Sequence, residues 1–277
     1  MLRTILVGLD GSAYSDAAVA LGIEWAQQYN CLLVGLGVID EPTIRRPTPV
    51  PAGAQYYKQL EDERRLHDAR RQVDQFLERF TLRCVEAGVS HKLLEDVGLP
   101  HEQILTESQR YDLVLLGQET YFQFETSDAA DETLRHVLQS ASRPVVVVPK
   151  EPAEGGAIVV AYDGSQPASR AIYGLVASRL GTWLPVHVVT IGESSVDSAR
   201  CSERAIEFLR FHDIEATPHR VPFEGDVGRT LLDQSAALGA RLIVMGCYSR
   251  SALREFFIGS ATKSVLRDAR VPLFLQH

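Results

Sequence analysis

The stretch Ile5-Leu6-Val7-Gly8-Leu9-Asp10-Gly11-Ser12 returns as Ile158-Val159-Val160-Ala161-Tyr162-Asp163-Gly164-Ser165. Each copy is an apolar run ending in Asp-Gly-Ser. The closing stretch Leu134-Arg135-His136-Val137-Leu138, followed by Pro144-Val145-Val146, returns as Thr262-Lys263-Ser264-Val265-Leu266, followed by Pro272-Leu273-Phe274. A repeat of this length is a duplicated domain rather than a solenoid unit. Working outward, each half alternates short apolar runs with longer helical patterns. In the first half the runs are Thr4–Leu9, Leu32–Val38, His91–Leu94, Leu113–Leu116 and Val145–Val148. In the second they are Ala157–Tyr162, Pro185–Ile191, Ala216–Val221, Leu242–Met245 and Val271–Phe274. Continuous apolar character in the first and fourth runs suits strands covered on both faces. Crossover helices between them predict a parallel sheet in an open α/β fold.

The 277 residues accommodate two domains of this kind. The polar, Pro- and Gly-bearing stretch Lys150–Gly156 reads as the linker, which gives domains of 1–150 and 156–277. A net charge of -8 argues against broad nucleic-acid binding, which calls for a basic face. No apolar run is long enough to cross a bilayer, and no signal-peptide pattern precedes the first strand. The four cysteines (Cys31, Cys84, Cys201, Cys247) lack C-x-x-C spacing, so free thiols in a cytoplasmic protein are the simplest expectation. Glu41 to about Gly53 carries Pro42, Pro47, Pro49 and Pro51, which fit a loop or flap rather than a helix. The charged segment Tyr57–Glu86 reads as a helix with a solvated face.

Ligands of open parallel sheets bind beyond the carboxyl ends of the strands, near the point where strand order reverses. The two Asp-Gly-Ser turns fall there. Glycine permits the tight turn, and Ser12 and Ser165 fit as helix caps. For Asp10 and Asp163, a helix-start role and a ligand contact stand level on spacing alone. In the second half, Gly246 opens the small-residue loop Gly246-Cys247-Tyr248-Ser249-Arg250-Ser251, and Ile258-Gly259-Ser260 begins a helix. Such a loop before a helix start suits phosphate, because amides and the helix dipole face the anion. Arg250, Arg254 and Lys263 add positive charge. Gly-Ser at a helix start is also an ordinary cap.

These residues resemble the universal stress protein family in its tandem two-domain form. The family's nucleotide loop, G-x2-G-x9-G-[ST], is matched at its four positions by Gly246, Ser249, Gly259 and Ser260, with serine replacing the second glycine. The resemblance implies two Rossmann-like (adenine nucleotide alpha hydrolase-like) α/β domains, each a five-stranded parallel sheet flanked by helices. It implies an intramolecular pseudo-dimer in which the final strands pair. It further implies an adenine nucleotide, ATP or a relative, with or without Mg2+. The contacts implied are Asp163 and Gly164 at the first turn, Thr190 or Ile191 offering backbone groups to adenine, and Gly246, Ser249, Arg250, Gly259, Ser260 and Ala261 around the phosphates. The first half departs from the pattern. Gln118-Glu119-Thr120 follow Gly117, and Asp131-Glu132 stand where the second half has Gly259-Ser260. Carboxylates at a helix start compensate its dipole and repel phosphate, so at most one nucleotide per chain is expected.

No catalytic set is legible. No G-x-S-x-G elbow or Walker loop is present, and His212 and His219 bracket a strand start without metal-ligand spacing. Cys247 fits a small buried residue better than a reactive thiol. The leading expectation is a nucleotide-binding regulator of a stress response, with slow ATP hydrolysis at most and with a protein partner that the sequence does not identify. A nucleotide-free scaffold is the alternative, and a small-molecule or lipid carrier using the proline-rich flap as a lid is the weaker third. A homodimer of the chain is a further possibility left open.

Overall fold

The structure is a computed structural model that describes residues 1–47, 51, 54–123, 131–192, 195–247 and 260–277; the side chains of Ser195 and Ser260 lie outside the described set. The chain forms two compact units, one of Arg3–Val137 and one of Leu138–His277 with Met1–Leu2.

The first unit runs β1 (Thr4–Leu9), α1 (Ala13–Tyr29), β2 (Leu32–Ile39), α2 (Glu41–Ile44), α3 (Gln55–Glu86), β3 (His91–Val97), α4 (Pro100–Ser108), β4 (Leu113–Gly117) and the first turns of α5 (Thr133–Ser140). Its strands lie in the order β3-β2-β1-β4, all parallel. Strands β1 and β4 are buried almost throughout, which explains their unbroken apolar sequence. The helix α3 lies on β2, where Gly35 and Gly37 leave room for Phe80 and Val73. Its buried residues Leu66, Ala69, Val73, Leu77, Phe80 and Cys84 trace one face, and the exposed remainder is rich in charge but also carries Tyr56, Tyr57, Leu60, Leu82 and Val85.

The second unit runs β5 (Val145–Val148), β6 (Ala157–Ala161), α6 (Gln166–Ser178), β7 (Val186–Gly192), α7 (Ser195–Arg210), β8 (Ala216–Pro222), α8 (Val227–Ala237), β9 (Ala240–Gly246), α9 (Ser260–Asp268) and β10 (Leu273–Gln276). Strands β10-β9-β6-β7-β8 are parallel neighbours in that order. The strand β5, which closes the first repeat in sequence, lies antiparallel on β10, with Val146 opposite Phe274. The two final strands therefore pair, as the resemblance implies, and this sheet is mixed rather than purely parallel.

Local departures from the sequence reading have physical reasons. The last strand begins at Leu273, because the Pro272 carbonyl accepts from the Ile243 amide while proline has no N–H to continue the ladder. Residues Glu41–Ile44 form one helical turn rather than loop. Asp40 caps it by accepting from the Thr43 amide at 3.1 Å, and Pro42 occupies the first turn, where no N–H is required. Of the rest of that proline-rich stretch, 48–50 and 52–53 lie outside the described residues. The start of β8 at Ala216 does lie between His212 and His219, as read.

Candidate functional site

The two strand-one turns have the same backbone. Gly11 has φ +76° and Gly164 has φ +77°, a conformation that disfavours a side chain. Ser12 caps α1 by accepting from the Ser15 amide at 3.1 Å, and Ser165 caps α6 by accepting from the Ala168 amide at 3.3 Å. The serines are therefore caps in both halves. Each aspartate also accepts locally, Asp10 from the Ser12 amide and Asp163 from the Ser165 amide, both at 2.9 Å.

Beyond that turn the halves diverge. In the first unit, Asp10 is only 5% exposed. Its second oxygen accepts from the Tyr121 amide at 2.8 Å. Asp131 accepts from the Phe122 amide at 2.7 Å and from the Thr133 amide at 2.8 Å, which caps the start of α5. Phe122 is only 1% exposed, and its ring, with Leu116, packs against Gly8, coming within 3.0 Å of where a Cβ there would sit. A second ring, Phe76 from α3, covers Gly11. Asp10 and Asp131 thus spend their carboxylates on the chain's own amides, and two phenyl rings pack beside them. Burial pushes the Asp10 carboxyl up from its usual range, against the bonds from Ser12 and Tyr121, and the nearby Asp131 adds to the rise. Burial pushes Asp40 up in the same way.

In the second unit, Asp163 is exposed. The α7 residue beside Gly164 is Cys201, a small thiol in the place Phe76 takes in the first repeat. Its thiol donates to the Tyr162 carbonyl at 3.9 Å, and burial together with Asp163 raises its pKa. Thr190 is 3% exposed, with no hydrogen-bond partner for its hydroxyl among the described residues. It holds the repeat position of Gly37, whose side-chain direction meets Val73 on α3, so the Thr190 side chain leaves the strand on the corresponding face, toward α7. Ile191 beside it is half-buried. At Gly246 an added Cβ would strike the backbone of Pro167 and Ala168 at 2.4 Å, so this glycine lets α6 approach the end of β9. Cys247 is buried, its thiol donates to the Leu138 carbonyl at 3.8 Å, and burial pushes it up to about 12, as fits a packing residue. Ala261 lies in the first turn of α9, and its carbonyl accepts from the Ser264 hydroxyl at 3.0 Å.

The structure therefore brings together Asp163, Gly164, Thr190, Ile191 and Gly246 at the carboxyl ends of β6, β7 and β9. Ser249, Arg250 and Gly259 lie outside the described residues, and Ser260 is described only as the first residue of α9. The sequence reading missed the two rings that fill the first corner. The signal was the aromatic pair Tyr121-Phe122 inside an acidic stretch, an odd place for a phenyl ring unless it is buried. It also missed a contact between His187 and His219 across neighbouring strands. Among the described residues, no group of three or more His, Cys, Asp or Glu could hold a metal ion, and no helix is long and apolar enough to cross a membrane.

A sequence model of the universal stress protein family matches the chain twice, over residues 1–149 and 156–276. The universal stress protein Slr1230 of Synechocystis is 24% identical over 169 residues, and that alignment covers 59% of this chain and 57% of the relative, little more than half its length. The universal stress protein Rv2005c of Mycobacterium tuberculosis is 26% identical over an alignment of 308 residues, covering 98% of this chain and 96% of the relative. Among solved structures, a universal stress protein from Archaeoglobus fulgidus shares the fold with a TM-score of 0.67 at 18% identity, covering 99% of this chain and 97% of that one.

Proposed function

The chain belongs to the universal stress protein family, and from that premise we propose that it is a regulatory protein that binds one adenine nucleotide at the second repeat. Asp163 and Gly164 meet the ribose, backbone groups of Thr190 and Ile191 meet the base, and Gly246, Ser249, Arg250, Gly259, Ser260 and Ala261 hold the phosphates. The observation that carries this reading is the contrast at one repeat position. Asp163 is exposed, next to a Gly164 that meets only the small Cys201, whereas Asp10 is buried with both oxygens taken, next to a Gly11 covered by Phe76. An exposed carboxylate at a strand tip can accept from a ligand's hydroxyl groups, and a sealed one cannot.

The proposed activity is binding rather than turnover, with hydrolysis slow at most and no residue assigned as a general base for water. Bound nucleotide alters the surface around the loop after β9, and a protein partner reads that change. Mass spectrometry of denatured, freshly purified protein tests the proposal. An adenine nucleotide released from wild type and absent from Asp163→Ala supports it. Protein free of nucleotide that also fails to bind added ATP, ADP or AMP favours the scaffold reading instead.

A further inference from the structure

The parallel register of β7 and β8 sets His187 opposite Thr217 and Val189 opposite His219, so the two histidines lie diagonally on one face of adjacent strands. Their rings meet edge to face, with centroids 5.0 Å apart and planes at 63°. His187 Nδ1 lies 3.0 Å from His219 Nε2. Both residues are half-buried, and β8 is the last strand in the order of this sheet, so an ion has a path to the pair. A hydrogen bond between two imidazoles needs one nitrogen carrying a proton and one bare. A metal ion can replace that shared proton and receive a lone pair from each ring.

We propose that His187 and His219 form a two-imidazole site for a divalent transition-metal ion. Imidazole nitrogens suit Zn2+, Cu2+ and Ni2+. Two nitrogens at about 2.0–2.1 Å from a tetrahedral ion stand roughly 3.3 Å apart, so the pair has to open by a few tenths of an ångström and each ring to turn by roughly 35° toward the ion. No third protein ligand of the His, Cys, Asp or Glu type completes the set among the described residues, so water or an incoming donor fills the remaining positions. The other histidine pair makes a useful contrast. His101 and His136 stack face to face, with centroids 4.6 Å apart and planes at 27°, and stacked rings do not converge their nitrogens on one point. The inference does not rest on nucleotide binding, because it concerns a different part of the sheet.

Zn2+ titrated against a chromogenic chelator provides the first test. Wild type should bind one equivalent, and His187→Ala and His219→Ala should each lose at least about tenfold in affinity, the scale seen when a metal site's supporting groups are removed. His101→Ala should leave the affinity unchanged. A second measurement uses only the folded wild type, so it stands even if a variant misfolds. Diethyl pyrocarbonate labelling read by peptide mass spectrometry should show His187 and His219 protected by Zn2+ and His101 labelled as before. Unchanged affinity in both folded alanine variants, or labelling of His187 and His219 unaffected by Zn2+, overturns the proposal.

Discussion

The turn at Asp10 and the turn at Asp163 start from the same eight-residue pattern and the same positive-φ glycine, yet Asp10 is buried and Asp163 is exposed. The difference lies in what surrounds the shared turn. In the first repeat, Asp10 and Asp131 recruit the amides of Tyr121 and Phe122, and Phe76 and Phe122 fill the space. In the second, Cys201 replaces one ring and Asp163 faces solvent. A duplicated scaffold can thus turn an exposed strand-end turn into a piece of core by exchanging a few side chains, with the strands and the turn left in place.

The comparison is broken most forcefully at Phe122. Phe122→Ala should destabilise the first unit by about 3–5 kcal/mol in denaturant titrations, the usual cost of emptying a buried phenyl site. A loss below about 1 kcal/mol would mean that Phe122 does not hold the corner closed. The aspartates should then separate in opposite ways. Asp10→Ala leaves the Tyr121 and Ser12 amides without their acceptor and should cost about 1–3 kcal/mol of stability with no change in ATP affinity. Asp163→Ala, at an exposed position, should change stability by about 0.5 kcal/mol or less while weakening ATP at least about tenfold by fluorescence titration. Matching effects from the two variants would erase the asymmetry.

Cys201→Phe sharpens the same contrast. It sets beside Gly164 the ring that Phe76 sets beside Gly11, and nucleotide affinity should fall about tenfold, roughly 1.4 kcal/mol. The converse, Phe76→Cys, should not create binding in the first repeat, since Asp131 still caps the helix start that would face phosphate.

The smallest expected effect is on pH dependence. The Asp10 carboxyl is raised in the folded protein, so the folded state holds its proton to higher pH than the unfolded chain does. The stability this provides is complete below the unfolded pKa near 3.8 and is lost as pH rises through the folded value. The stability of Asp10→Asn relative to wild type should therefore improve between pH 4 and pH 7 in paired denaturant titrations. A difference that is flat, or that moves the other way, contradicts the burial.

Much of the fold was legible because its signals are local. The apolar runs, the Asp-Gly-Ser turns, the serine caps at Ser12 and Ser165, and the place of Asp131 at a helix start follow from residue type and spacing. The acidic character of the first corner was equally plain. Its closure was not, because it depends on Phe76, which reaches Gly11 from a helix far along the chain, and on amides of a loop whose path no periodicity encodes. The His187–His219 contact was hidden for a related reason. It depends on the register between two strands, and register is set by packing between the strands rather than by either strand alone. The one-turn helix at Glu41–Ile44 was obscured by Pro42, a residue that interrupts helices in their interior and suits their first turn.

Calorimetric titration of the whole chain with ATP tests the asymmetry most directly, with Asp10→Ala and Asp163→Ala measured beside wild type. The account predicts one nucleotide per chain, retained in Asp10→Ala and lost in Asp163→Ala. Two equivalent sites per chain, or a single site that vanishes with Asp10 and survives without Asp163, would contradict it.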